Sequence, residues 1–331
     1  MTSTHLFMND NNSFDRLCIC RTKLQAYTFC LLLSKEKKSF DFILFIDDCH
    51  NRDNLQFLER LSEANNIKFS YYAKKNVFSD VNSIINFAIK NRCHDLYISS
   101  LGNGYISLML GILRYDCLLT FDDGAANLEK QSFVYVPRNS IARKFFFTIF
   151  YKSKDLETII DSSSVHFNIF PKFLYPYPGY FRNEVNINFL FNNINIGLNI
   201  GSYDCIFIAP CYEEYFNDPL EGYQKTTLFL KNKIREGSRV LYVNHPRSSF
   251  EVPKELATEK KLNGYLLEEL VPSFFKENEV LELVGFGNTT QAFFLNDKRV
   301  KITILINDGV KEKYVNHFFF LYSQINKVVL D

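Results

Sequence analysis

The sequence predicts an α/β protein built as two Rossmann-like domains that face each other across a cleft. Three observations predict it. Apolar runs of strand length alternate with segments of helical spacing; a cluster of prolines and aromatics interrupts that alternation once; and 331 residues exceed what a single hydrophobic core usually serves.

The first half carries the alternation most plainly. "DRLCICRT" (15–22), "FDFILFIDD" (40–48), "IKFSYYA" (67–73), "HDLYISSLG" (94–102) and "CLLTFDDG" (117–124) read as buried strands. Between them, "KLQAYTFCLLLSK" (23–35), "NLQFLERLSEA" (54–64), "DVNSIINFAIKNR" (80–92) and "GYISLMLGILRYD" (104–116) space their apolar residues as helices do. Strands and helices at this interval specify a parallel sheet joined by right-handed crossovers.

The pattern loosens through "IARKFFFTIFYKSKDLETII" (141–160) and breaks at "FPKFLYPYPGYF" (170–181), whose prolines cannot continue either element. The expected division is therefore 1–165 for the first domain, 166–182 for a linker, and 183–331 for the second domain. In the second domain, "YDCIFIAP" (203–210), "RVLYVNHP" (239–246), "EVLELVGFG" (279–287) and "VKITILIND" (300–308) read as strands. Helices are expected over 220–237, from about Asn288, and over 311–326.

Hydrophobic residues make up 47% of the chain and the net charge is +1, which suits a globular core and gives no electrostatic footprint of a nucleic-acid binder. None of the eight cysteines forms a CxxC pair, and Cys18, Cys20, Cys30, Cys117 and Cys205 lie in apolar runs, as small buried hydrophobes of a reducing cytosol do. The first residues lack the cationic start and apolar stretch of a secretory signal. No window holds the roughly 18 apolar residues of a membrane span. A cytoplasmic protein is expected. The segment 141–154, with Arg143, Lys144, Lys152 and Lys154 among aromatics, reads two ways: as a stripe facing the core, the commoner fate of helical aromatics, or as a peripheral contact with the inner membrane.

Three predicted strand ends carry polar residues that a ligand cleft uses. The first is Asp122-Asp123-Gly124, at the edge where open parallel sheets bind ligands, although acids there are also ordinary turn formers and caps. The second is "YVNHPRSS", where His245 leaves a strand and Pro246 restricts the backbone, with Asn244 and Arg247 alongside. The third is "VGFGNTTQAFF": Gly285 and Gly287, then Asn288, Thr289 and Thr290 opening a helix. Such a start is a common N-cap and also an anion site. Of the other histidines, His5, His50 and His94 fall in a polar tail or turns, while His166 and His317 show no acid or hydroxyl nearby in sequence. Asp47-Asp48 reads as a turn and helix cap. "GNGYIS" lacks the third glycine of a dinucleotide fingerprint, and GxxxxGK[ST] and HExxH are absent.

The ordered set Asp122-Asp123-Gly124, His245-Pro246 and Thr289-Thr290 resembles the bacterial sialyltransferases of glycosyltransferase family 52 and related sialyl- and polysialyltransferases. The opening "LCICRTKLQA" (17–26) is similar to that family's start, with Lys23 where proline is expected; the hydroxyl pair is Thr-Thr where Ser-Ser is commoner. The match spans about residues 15–305. It implies a GT-B type glycosyltransferase, cytoplasmic or peripheral on the inner membrane. CMP-sialic acid would be the donor, no cofactor is needed, and the acceptor would be a terminal galactoside on lipooligosaccharide or a similar surface glycan.

The chemistry fits those residue types. A sugar hydroxyl needs a base, for which Asp123 with Asp122 beside it is the candidate pair. The departing phosphate needs a proton or hydrogen bonds, supplied by His245 and the Thr289/Thr290 start, with Asn244, Pro246, Arg247, Gly287 and Asn288 around them. With one phosphate to neutralise, no metal is obligatory, and direct attack inverts the anomeric centre. Family likeness sets an acid against the nucleotide, here Glu268 or Glu269 with Glu269 preferred, and implies a homodimer. A same-fold transferase using CMP-Kdo or a UDP-hexose is the nearest alternative, and a non-catalytic nucleotide-sugar-binding protein the more distant one.

Overall fold

The computed structural model describes residues 12–33, 41–48, 52–130, 132, 134–136, 155–187, 203–245, 247–250, 265–275, 280–311, 314 and 325–330. The expected segments 141–154 and Pro246 lie outside these residues, as does most of 311–326. Within them the chain forms two parallel α/β units, each Rossmann-like in its strand order. Unit 1 comprises Met1–Ile169 and Tyr177–Phe189, and unit 2 comprises Phe170–Pro176 and Leu190–Asp331.

Unit 1 is a seven-stranded sheet. Its strands are β1 (Ser13–Cys20), β2 (Asp41–Asp47), β3 (Lys68–Ala73), β4 (Arg92–Ile98), β5 (Arg114–Phe121), β6 (Val165–Asn168) and β7 (Glu184–Asn186), in the order β3-β2-β1-β4-β5-β6-β7. Every neighbouring pair is parallel. Central strands of such sheets are covered on both faces, which is why β2 is a nearly unbroken buried run. Helices α1 (Lys23–Leu33), α2 (Arg52–Asn65), α3 (Val77–Lys90), α4 (Gly104–Ile112) and α5 (Leu156–Ser162) make the connections. Asn76, Asn103 and Asp155 accept backbone N–H bonds as the N-caps of α3, α4 and α5. The core joins Phe14, Leu17, Phe42, Phe87, Leu96 and Leu118, with Phe14 and Phe42 stacked at 4.6 Å.

Unit 2 has the parallel order β12-β11-β10-β8-β9. Its strands are β8 (Cys205–Ile208), β9 (Val240–Val243), β10 (Leu281–Gly285), β11 (Val300–Ile306) and β12 (Asn326–Val329). Helices α6 (Tyr212–Tyr215), α7 (Pro219–Arg235), α8 (Leu267–Leu270) and α9 (Thr289–Phe293) complete it. Asp218 caps α7, with Pro219 at the first helical position, where a missing N–H costs nothing.

Three expectations are corrected. Helix α4 ends at Ile112, not Asp116, because Arg114 and Tyr115 already pair with Arg92 and Cys93 of β4. The segment 166–182 is not simply a linker: its first residues form most of β6, and β7 follows at Glu184, so the sheet of unit 1 runs past residue 165. Asn326, expected to end a helix, opens strand β12 beside β11. Among the described residues no helix is long and apolar enough to cross a membrane.

Candidate active site

Each sheet has one point where its strand order reverses, and there the carboxyl ends of neighbouring strands splay apart into a ligand crevice. In unit 1 this lies between β1 and β4, and in unit 2 between β8 and β10.

At the first reversal the chain leaves β1 through Arg21 and Thr22 into α1. Thr22 Oγ1 accepts from the Gln25 backbone N–H at 3.3 Å, while Gln25 Oε1 accepts from the N–H groups of Arg21 at 2.7 Å and Thr22 at 3.3 Å. This is a reciprocal cap in the T-x-x-Q pattern. With its oxygen engaged, the amide of Gln25 directs Nε2 to Ser100 Oγ at 2.9 Å and to Asp123 Oδ1. Ser100 Oγ donates to Asp123 Oδ2 at 3.0 Å, and the Asp123 N–H donates to Asn127 Oδ1 at 2.6 Å. Asp123 is thus half-buried, with a bond donated to each carboxylate oxygen. Burial raises its pKa above the ordinary aspartate value; Gln25, Ser100 and Arg21 act against that rise, and Asp122 adds to it. A carboxylate poised upward in this way is suited to general-base work.

The neighbouring acid has a different task. Asp122 is 1% exposed; its Oδ2 accepts from the Ile169 N–H at 2.6 Å, and its Oδ1 lies 3.3 Å from His166 Nε2. His166 is fully buried, lies 2.8 Å from Thr120 Oγ1 through Nδ1, and stacks on Phe181 at 3.6 Å. Thr120 in turn meets Ser163 at 2.9 Å. Asp122 therefore ties β5 to β6, while Asp123 stands half-buried beyond the strand end. The expectation that His166 lacked acids and hydroxyls is also corrected, since the parallel register sets Thr120 opposite His166 across 46 residues of sequence.

At the second reversal a cavity of about 200 Å³ is lined by the ends of β8 and β10, by Glu214, Tyr215 and Tyr314, and by His245, Arg247, Gly287 and Asn288. Its rim is built by close packing. A Cβ on Gly285 would stand 2.8 Å from Asn288 Nδ2 and 3.2 Å from the Ile208 carbonyl, so only glycine fits. Asn288 then caps α9, accepting from the Gln291 N–H at 3.0 Å, while Gln291 Oε1 accepts from Gly287 N–H at 2.9 Å and Asn288 N–H at 3.2 Å. The Gln291 amide also donates to the carbonyls of Leu283 and Thr303, locking β10 and β11 to the cap.

His245 follows β9. Its Nδ1 accepts from the Arg247 N–H at 3.2 Å, which leaves the ring proton on Nε2. Burial and then the Arg247 charge lower its pKa below the usual 6.5, against Glu214 and Glu213. At neutral pH it is a neutral hydrogen-bond donor. Arg247 Nη1 pairs with Glu214 Oε1 at 2.9 Å. Glu213 accepts from Ser249 N–H at 2.6 Å, Ser249 Oγ at 2.5 Å and Ser248 Oγ at 3.1 Å. Burial opposes ionisation of Glu213, yet these donors, Ser249 foremost, hold its carboxyl down at about 2. Asn244 donates to the Phe250 carbonyl at 2.9 Å, so it shapes the loop.

The remaining expected donor residues are differently employed. Thr290 is 7% exposed and its hydroxyl donates to Glu268 Oε1 at 2.7 Å, so it is not open to a phosphate. Thr289, Thr290 and Glu269 do not line the cavity, and Glu269 is buried beside Glu268 in α8. Sequence pattern alone does not mark Ser100, Glu213 or Glu214 as site residues, and it marks Gln25 only through its cap. The T-x-x-Q capping pattern within "RTKLQ" is the signal that points to Gln25.

Comparison with known proteins adds the following. No protein-family model matches the chain, and no curated protein does. Among solved structures it is similar to Acinetobacter baumannii MurG, with 10% identity, TM-score 0.45, and 96% of this chain and 86% of that one covered. It is also similar to a protein assigned as a UDP-N-acetylglucosamine 2-epimerase from Listeria monocytogenes, with 10% identity, TM-score 0.46, and coverage of 95% and 89%.

Proposed function

We propose that this chain is an inverting, metal-independent sialyltransferase of GT-B type, moving sialic acid from CMP-sialic acid to a terminal galactoside of a lipooligosaccharide or similar surface glycan. The observation that carries the reading is Asp123: a half-buried carboxylate beyond the end of β5, raised in pKa by burial and fixed by Gln25 and Ser100, which follow β1 and β4 at the strand-order reversal. It supports the reading because a sugar hydroxyl becomes a competent nucleophile only as its proton is removed. The order of the Asp-Asp-Gly, His-Pro and Thr-Thr elements is what favours sialic acid over other sugars.

In the reaction, Asp123 takes the proton of the acceptor hydroxyl as its oxygen bonds to the anomeric carbon. The bond from that carbon to the phosphate oxygen of CMP breaks, its electron pair leaves with the phosphate, and configuration inverts. The neutral His245 donates from Nε2 to the departing oxygen, a hydrogen bond that strengthens as charge accumulates. Arg247, held at rest by Glu214, supplies the cation beside it. With one phosphate to balance, these two groups do the work that a metal performs on a diphosphate.

The test is CMP release from CMP-sialic acid with lactose or N-acetyllactosamine, in EDTA. Asp123→Asn is expected to lower turnover by about 10²–10⁴-fold, the usual worth of a positioned base, and His245→Ala to lower it as well. Release from CMP-Kdo or a UDP-hexose alone would overturn the donor assignment. Undiminished activity in both variants would overturn the site.

A further inference from the structure

The carboxyl edge of unit 1 holds a second cluster that the reaction above does not use. Arg21 follows β1, Asp48 follows β2 and Lys74 follows β3, neighbouring strands of the sheet. Both cations pair with the one carboxylate of Asp48, Arg21 through Nη2 and Lys74 through Nζ. Asp48 is 44% exposed, whereas Arg21 and Lys74 are 24% and 19% exposed. The Lys74 ammonium also lies 4.4 Å from the centre of the Tyr105 ring. Arg21 Nε is buried and has no hydrogen-bond partner among the described residues, so the guanidinium is not saturated.

Two cations share the one carboxylate of Asp48, with the Asp123 charge acting on Arg21 as well, and an exposed ion pair is held weakly enough for another anion to replace it. The cluster adjoins the base. The Arg21 N–H is bonded to Gln25, Gln25 is bonded to Asp123, and the Arg21 charge acts on Asp123 directly. When Asp123 accepts the nucleophile's proton its own charge is cancelled, and the Asp48 carboxylate is left to pair with the two cations. A reacting sugar at Asp123 that carried an anionic group would restore that balance.

We propose that Arg21 and Lys74 form an anion subsite for the acceptor, so that the acceptor is a galactoside already bearing a carboxylate or a phosphate monoester, with Asp48 occupying the subsite at rest. This deepens the sialyltransferase reading and rests on it for the identity of the nucleophile. An arginine fork and a lysine ammonium around one site suit both oxyanions, so their shared chemistry is what the subsite recognises.

The experiment is donor-free binding by the full-length protein, by calorimetry or saturation-transfer NMR, of lactose, sialyllactose, phosphorylated lactose and inorganic phosphate. The charged galactosides are expected to bind at least about tenfold more tightly than lactose, a difference readily resolved in these assays. Whichever of the two binds more tightly identifies the anion. Lys74→Met and Arg21→Met are expected to erase the preference, and Asp48→Asn, which removes the resting occupant, to strengthen it. A purely structural clasp predicts the opposite for Asp48→Asn: a lower melting temperature with no gain in affinity. Equal binding of lactose and its charged forms, a preference that survives Lys74→Met, or inorganic phosphate binding as tightly as the charged sugars would each overturn the proposal. Because no donor is present, a preference that holds while no CMP-sugar is turned over keeps the subsite and rejects only the transferase reading.

Discussion

Replacing Gln25 by leucine removes a side chain that is 1% exposed and serves two structures at once. Its oxygen closes the start of α1 on the N–H groups of Arg21 and Thr22, and its nitrogen donates to Ser100 and Asp123. Loss of a helix cap costs about 1 kcal/mol. Loss of a hydrogen bond to a charged group, here the half-buried Asp123, costs a further 1.5–3 kcal/mol or so. The sum of roughly 2–4 kcal/mol corresponds to a fall in melting temperature of about 5–15 °C for a unit of this size. The kinetic effect has a definite sign. Gln25 favours the ionised form of Asp123, so its removal raises the pKa of a base that works only when ionised, and the acid limb of kcat moves to higher pH. Gln25→Glu separates the two roles. A carboxylate oxygen can still accept from Arg21 and Thr22, so the cap and most of the stability stay. The second oxygen now faces Asp123, and two carboxylates competing for one proton push the limb further upward. The assay is CMP release across pH, with thermal melts in parallel. A Gln25→Glu enzyme with the parent's acid limb, or a Gln25→Leu enzyme that melts early with its limb unmoved, would refute the assignment of Asp123 as base.

Other predictions are as direct. NMR titration of His245 should give a midpoint below 6.5, and Arg247→Ala should raise it, because a repelling cation is lost while Glu213 and Glu214 remain. As a histidine depressed by folding, His245 contributes stability above its unfolded pKa, and that contribution is lost as pH falls through the folded value. Thr290→Val strips Glu268 of its side-chain donor. Burial already raises the pKa of Glu268, so the cost, about 1–3 kcal/mol at neutral pH, should shrink in acid as the group protonates, and Thr290→Ser should melt near the parent. Gly285→Ala drives a methyl into Asn288 and the Ile208 carbonyl and should destabilise unit 2 by roughly 1–3 kcal/mol, read as an earlier melt and weaker CMP binding.

Which parts of this architecture are legible in the sequence follows from what each signal depends on. Strands such as β1, β2 and β10 are buried over most of their length with apolar residues on both faces, so their runs announce themselves without reference to the rest of the chain. Strands β6, β7 and β12 are three or four residues long, and they are defined by pairing with β5, β6 and β11 rather than by their own composition. The acid pair is visible as a strand-end feature. Its division of labour is not, because Asp122 is claimed by His166 and the Ile169 N–H, 44 and 47 positions away. The threonine pair looks open for the same reason: the carboxylate that takes up Thr290 belongs to α8, 22 residues earlier. Local chemistry, such as the two N3 glutamines and the glycines of the β10 turn, is readable; side chains occupied by distant partners are not.

The cap that opens α1 bears also on how this protein responds to heat. Helix ends fray at free energies far below that of global unfolding. Here the residue released by fraying of the first turn is Gln25, and with it goes a hydrogen bond to the Asp123 carboxylate. Warming is therefore expected to loosen Asp123 while the sheet behind it is still intact. On the proposed assignment of Asp123 as base, turnover is expected to decline as this one helical turn frays, before the core of Phe14, Phe42 and Leu96 is lost. Engineering for heat tolerance would accordingly gain more from strengthening residues 21–25 than from repacking the interior.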